Sequence, residues 1–250
     1  MYLTWLDSNS WLIEIAQQRI LLDPWLVDCL TFSNLDWLFK GSRLQDREIP
    51  TNIDLILLSQ GLEDHAHPPT LKKLDKNIPV VASVNAAKVV QQLGYHHVNI
   101  LNHGEIYTVN NQVEIKAVPG SQLGPMIWEN GYLIKDLVNS SSLYYEPHGN
   151  HDSQIQQFAP VDIVITPIVD LSLPLGASII KGMSSAVTAA EWLKPEVMLP
   201  TAAGGDVIFE GILNKFIQSQ GSTEEFEKML AEKNLTTKVI SPKPGERVSV

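Results

Sequence analysis

The chain has 250 residues, 44% of them hydrophobic, with a formal net charge of -10 and only 18 Lys plus Arg. That length can bury a substantial core, while the acidic balance leaves no electrostatic footprint for a phosphate backbone or an anionic lipid surface, both of which need clustered positive charge. The single cysteine, Cys29, forms no internal disulfide, so the fold must rest on burial, as is usual in reducing compartments. The expectations are one domain over residues 1–250, a cytoplasmic location, and Cys29 as a buried structural thiol. The partner expected is a small-molecule ligand or substrate, with no nucleic acid and no membrane, and with assembly into a homo-oligomer left open. The N-terminal stretch has no basic leader before an apolar core. Asp7, Glu14 and Arg19 interrupt every apolar window there, and Asp162, Asp170, Pro167 and Pro174 break the apolar run over 161–180.

Taken in chain order, Tyr2 to Leu6, Trp11 to Ile15 and Arg19 to Leu22 read as short strands rich in aromatic and branched residues, with polar turns that favour antiparallel pairing. "IDLILLS", Ile53 to Ser59, is a nearly continuous apolar run, the pattern of a strand covered on both faces. "PPTLKKLDKN" and "VNAAKVVQQLG" predict short helices, the second closed by Gly94 as a left-handed cap. "QVEIKAVPG", "GYLIKD" and "SSLYYEPHG" predict three more strands, followed by a buried one in "VDIVITPIVD". The last part predicts helices over "SSAVTAAEWLKP", "GDVIFEGILNKFIQSQG" and "STEEFEKMLAEKN", a strand at "EVMLPT", and strand character from Thr237 to Ile240. Asp206 reads as an N-cap of the second of these helices, and Ser222 with Glu225 has capping-box spacing for the third. No internal repeat, low-complexity tract or linker is visible. Strands in runs interleaved with helices in both halves predict helices packed outside stacked sheets.

The chemistry concentrates in "ILLSQGLEDHAH", where a buried strand ends in Asp64, His65 and His67. A strand end holds imidazole and carboxylate at a sheet edge, where loops converge on a cation above a rigid base. Glu146 and His148 in "LYYEPHG" add donors of the same kind, and together the five supply nitrogen and oxygen ligands suited to zinc, iron or manganese. A plainer reading stands beside this one: Asp64 and His65 as a hydrogen-bonded pair fixing a loop, and His67, ahead of two prolines, capping the next helix. His151 reads as surface, and His96, His97 and His103 as structural or exposed. Trp5, Trp11, Trp25 and Trp37 read mostly as core, with one or two rings available to line a pocket.

The loop over Gln60 to His65 resembles the His-x-His-x-Asp-His metal loop of the metallo-β-lactamase superfamily, with Asp64 and His65 matching and Gln60 and Leu62 where the first two histidines belong. "WLDSNSWLIEIAQQRILLDPWL" resembles the opening hairpin of its lactonase-like branch, typified by ascorbate-6-phosphate lactonase: Asp23 and Pro24 match, and Ser8 stands where a histidine would be. "AVPGSQLG" and "VMLPTAAGG" look like two further ligand segments, with Ser121 and Ala202 at the ligand positions. "LYYEPHG" occupies the place of the bridging aspartate, which falls on Glu146, Pro147 or His148.

The resemblance implies an α/β fold, the four-layer αββα sandwich, in a subgroup with a degenerate metal site. Leu62 and Ala202 offer no donor atom, so a dinuclear zinc site, which needs about four ligands per ion, is not built here. What remains is one divalent ion at most, zinc first, with iron or manganese as alternatives, or no metal at all. The function implied is a metal-dependent hydrolase of lactone or phosphoester type, its ion held by Asp64, His65 and some of His67, Glu146 and His148. Asp64 would orient the attacking water or accept its proton, and Ser121 and Gln60 would contact substrate. The alternative is a non-catalytic member of the fold whose cleft binds a metabolite or a protein partner, a reading supported by Leu62, Ser121 and Ala202 making the cleft less polar.

Overall fold

In a computed structural model of the chain, residues 1–124, 127–174, 177–202 and 204–250 are described. The chain divides into two compact units, the first formed by Met1–Asn102, Gly204–Phe216 and Pro242–Ser249, the second chiefly by His103–Ala203 and Ile217–Ser241.

The first unit opens with β1 (Tyr2–Trp5), β2 (Trp11–Ile15) and β3 (Gln18–Leu22), an antiparallel meander as the sequence predicts. β6 (Leu55–Leu58) then pairs parallel to β3, followed by β7 (Val80–Ala82) and β8 (Val98–Ile100), also parallel. β20 (Arg247–Ser249) adds to β1, completing a seven-stranded sheet. All four side chains of β6 are buried, which explains its unbroken apolar run: a strand covered on both faces has no polar side. Two helices, α1 (Pro68–Lys73) and α2 (Val84–Gln92), cover one face. There Leu71, Ala86, Ala87 and Val90 pack with Leu12, Leu21, Ile56, Leu58 and Val80 in one buried cluster. Ser83 caps α2 by accepting from the Ala86 N–H, and Gly94, at φ +83°, follows the helix end.

The second unit repeats this plan. β9 (Ile106–Val109), β10 (Val113–Gly124), β11 (Ile127–Asp136) and β12 (Ser142–Tyr145) run antiparallel. They are followed by β13 (Ile163–Thr166), β16 (Val197–Pro200) and β19 (Lys238–Val239) in parallel. Helices α3 (Met183–Leu193) and α4 (Thr223–Glu232) bury Ala186, Ala190, Leu193, Phe226 and Leu230 with Tyr144, Val164 and Met198. Ser222 accepts from the Glu225 N–H, as the capping-box spacing predicts.

Each unit also carries a small three-stranded sheet. In the first it is β4 (Leu30–Thr31), β5 (Lys40–Arg43) and β17 (Val207–Glu210), and in the second β14 (Asp170–Leu173), β15 (Ala177–Ile180) and β18 (Gln218–Gln220). β17 and β18 correct the helix expected over "GDVIFEGILNKFIQSQG". Val207 and Phe209 turn inward while Ile208 and Glu210 face out, a period of two, and Gly211, at φ +101°, ends the strand. Phe209 stacks at 5.6 Å on Phe39, so the aromatic is anchored by tertiary packing that helical periodicity does not reveal. Asp206 is therefore no helix cap. Cys29 is exposed rather than buried. No helix among the described residues is long and apolar enough to cross a membrane.

Candidate functional site

Parallel pairing of β3 with β6 brings their carboxyl ends together, and the first residue beyond each strand carries a polar side chain: Asp23 and Ser59. The Asp23 N–H donates to Leu57 O at 3.0 Å, fixing the register of that corner. Carboxyl ends of parallel strands are the usual position for a ligand crevice in α/β sheets. Asp23 is fully buried and accepts from the Ser59 N–H (2.7 Å) and the Ser59 hydroxyl (2.5 Å). Its Oδ2 also holds His65 Nδ1 at 2.8 Å. The opposite ring nitrogen, Nε2, lies 3.1 Å from Asp64 Oδ2 and 3.3 Å from the Asn9 amide nitrogen. Burial opposes charge on this imidazole, but the Asp64 and Asp23 carboxylates outweigh it and hold its pKa up at about 10.

Whether this corner suits a divalent ion is decided by its donors. Two ligands at about 2.0–2.1 Å in a tetrahedron stand roughly 3.3 Å apart, close to the 3.1 Å between Asp64 Oδ2 and His65 Nε2. A carboxylate on the far ring nitrogen is the usual support of a metal-binding histidine, because it fixes the ring and turns the other nitrogen outward. These two donors fit one ion. Leu62, in the same loop, brings no donor atom for a second.

His67 does not join this pair. It caps α1, its Nδ1 lying 3.0 Å from the Thr70 hydroxyl and 3.4 Å from the Thr70 N–H, while Nε2 lies 3.3 Å from Cys29 O. Burial is the main reason its pKa falls to about 4, so the ring is neutral. Both ring nitrogens contact the loop, as the capping reading expects.

The same unit holds an ion cluster that sequence reasoning missed. Asp7, fully buried at φ +83°, accepts from Arg43 Nε (3.0 Å) and Arg47 Nε (2.7 Å) on one oxygen and from the Asp206 N–H on the other. Arg47 also bridges Asp206, and the Arg43 guanidinium lies 3.9 Å from the centroid of the Trp25 ring. "WLDSNS" is thus held as a rigid turn, with Ser8 at φ +49° and its carbonyl taking the Trp5 indole N–H. No local pattern signals a partner so many residues away.

In the second unit Glu146 is the first residue beyond β12, and β12 pairs parallel to β13. Its carboxylate is fully buried: Oε1 accepts from Ser121 Oγ at 2.9 Å, and Oε2 from the His148 N–H (3.1 Å) and Asn150 N–H (2.6 Å). Burial, only partly offset by these donors, raises its pKa to about 7. Ser121 is placed by the irregularity in the β10–β11 ladder between Pro119 and Gln122. Gly149 closes the turn at φ +73°, where a Cβ would fall 1.7 Å from Lys181 O. The loop therefore needs glycine, and His148 is held by its own backbone, its N–H on Glu146 and its carbonyl taking the Lys181 N–H at 2.9 Å.

In this arrangement Glu146 and Ser121, expected as a ligand and a substrate contact, bond to each other and to the loop backbone. Both of the carboxylate's oxygens and the serine's hydroxyl are engaged inside the loop. Gln60 is likewise fully buried. His151, expected at the surface, is partly buried, with Nδ1 3.0 Å from the Tyr144 hydroxyl and the two rings 5.6 Å apart; burial lowers its pKa to about 3. Of the four tryptophans near the N-terminus, Trp5, Trp11 and Trp25 are core, whereas Trp37 is exposed. Of the segment around Ala202, Ala203 lies outside the described residues.

Residues 2–202 match the family described as the Beta-lactamase superfamily domain, and the chain belongs to that family. The metal-dependent hydrolase (UPF0173) of Thermodesulfovibrio yellowstonii is 24% identical over 271 residues, covering 99% of this chain and 91% of the relative. Among solved structures, Igni18, a metallo hydrolase from Ignicoccus hospitalis, superposes with a TM-score of 0.70 at 17% identity, covering 99% of this chain and 97% of the other. The metallo-beta-lactamase fold protein YhfI of Bacillus subtilis does so with a TM-score of 0.61 at 14% identity, covering 99% of each. These likenesses establish the metallo-β-lactamase fold, the α/β class expected from the sequence.

Proposed function

We propose that the chain is a metal-dependent hydrolase that works with a single divalent ion bound at the Asp64–His65 corner, on substrates of lactone or phosphoester type. The observation that carries this is the pairing of Asp64 Oδ2 with His65 Nε2 at 3.1 Å, while Asp23 holds the far side of the ring at 2.8 Å. Relatives carrying the name metal-dependent hydrolase along nearly their whole length support the same reading. A bound divalent ion supplies Lewis acidity toward a scissile carbonyl or phosphoryl oxygen. The chain's own contribution is to orient. Asp23 fixes the His65 ring, Ser59 fixes Asp23, and to Asp64 we assign the proton of an attacking water.

A panel of lactones and phosphodiesters assayed with zinc-, manganese- and iron-loaded protein tests the reading. Turnover in the wild type that falls at least about 100-fold in both Asp64→Asn and His65→Ala supports it. Turnover unchanged in His65→Ala removes it. His148, proposed from the sequence as a further ligand, enters through His148→Ala: loss of metal with loss of turnover assigns it to the ion, and retention of both confines the ligands to the first unit.

A further inference from the structure

Within the second unit, the loop organised by Glu146 borders a cavity of about 330 Å³ whose walls include Gln122, Trp128, Asn150, His151, Asp152 and Lys181. A volume of that order is typical of small-molecule sites. Three features of the walls define what would fill it. Trp128 is half exposed, a large indole standing in an otherwise polar rim, and it pairs across the β10–β11 ladder with Gln122, so its position is set by a strand rather than a free loop. Lys181 is exposed, and among the described residues no carboxylate bridges it; its backbone is tied to His148 O, which sets where the side chain starts. His151 is held by the Tyr144 hydroxyl and ring, so its imidazole is a fixed part of the wall. Asp152, the one acidic wall residue, already has an oxygen on the Gln154 N–H.

We infer that this cavity binds a small organic anion with a flat ring, the ring lying on Trp128 and the anionic group meeting Lys181. An indole face rewards a planar partner through stacking, and an ammonium group gives a charge-assisted hydrogen bond to a carboxylate or phosphate oxygen. The ring and the charge must be carried by one molecule, because each feature alone is a common surface element. The inference does not depend on the metal-dependent reading. It is tested in the presence of chelator, by binding and not by turnover.

Calorimetric titration of the full chain in EDTA with phenyl phosphate is the direct experiment, with inorganic phosphate and benzyl alcohol as the two half-ligands. Saturable binding of phenyl phosphate is expected, at least about tenfold tighter than either half-ligand and weakened about tenfold by both Lys181→Gln and Trp128→Ala. Both substitutions are at exposed positions. Asp152→Asn retains an N-capping side chain and removes the negative wall charge, so it should tighten binding. Failure of phenyl phosphate to saturate, equal affinity for inorganic phosphate, or unchanged affinity in both Lys181→Gln and Trp128→Ala would overturn the inference.

Discussion

The two units use the same device with opposite outcomes. In each, an antiparallel meander turns into parallel strands, and the first residue after the strand at that change is an acid: Asp23 beyond β3, Glu146 beyond β12. Both acids are fully buried, and both accept from a serine hydroxyl, Ser59 in one unit and Ser121 in the other. Asp23 gives its remaining capacity to an imidazole and so presents a ring nitrogen to Asp64. Glu146 gives its own to the N–H groups of His148 and Asn150, and so builds a loop. One methylene of difference in side-chain length, with one histidine in reach, separates a carboxylate that holds an imidazole from one that closes a loop.

Substitutions can break that contrast. The largest effect is expected at Glu146→Ala, which leaves the Ser121 hydroxyl and the His148 and Asn150 N–H groups without this acceptor; about 2–4 kcal/mol of stability should go, measurable by denaturant unfolding. Asp23→Asn should act chiefly on metal: the ring loses its anionic support, and affinity should fall about 10–100-fold in a competition assay with a chromogenic chelator. If Asp23→Asn instead unfolds the protein without altering metal affinity, Asp23 belongs with Glu146 as a loop builder. Ser59→Ala and Ser121→Ala should each cost about 1 kcal/mol, the net value of one hydrogen bond, and only Ser59→Ala should also weaken metal binding.

The smallest effect concerns pH. His151 has its folded pKa lowered to about 3 from 6.5, so the unfolded chain takes up the proton first as pH falls. Its contribution to stability is complete above about pH 6.5 and is lost as pH falls toward 3, amounting to at most about 1 kcal/mol between pH 6.5 and 5.5. The difference in unfolding free energy between the wild type and His151→Gln should therefore shrink over that interval. A difference that stays flat would mean the imidazole titrates normally and is not enclosed by Tyr144.

Much of the framework was legible because it obeys local periodicity. The unbroken apolar run of β6, the glycine after α2 and the Ser222–Glu225 spacing each state a backbone preference within a few residues. The Asp64–His65 pair was legible too, since adjacent ligands on one loop form a local pattern. The partners that give these residues their roles were not. Asp23 supports His65 from 42 positions away, Asp7 gathers arginines 36 and 40 positions distant, and Ser121 meets Glu146 across 25. Such contacts are fixed by strand pairing, and composition around each residue carries no trace of them. The helix expected over 205–221 failed for a related reason. Short strands at a sheet edge owe their state to the partner they pair with, β5 for Val207–Glu210 and β14 for Gln218–Gln220, and Val207, Ile208 and Phe209 suit a strand as well as a buried helix.

At the centre stands the claim that His65, turned by one carboxylate and joined by another, is a ligand and not merely one member of a buried charge cluster. Elemental analysis of protein purified without chelator measures this most directly. The account predicts about one divalent transition metal per wild-type chain and less than roughly a tenth of that in His65→Ala. A wild-type chain carrying under a tenth of an equivalent, or a His65→Ala protein that keeps its full metal content, would contradict it.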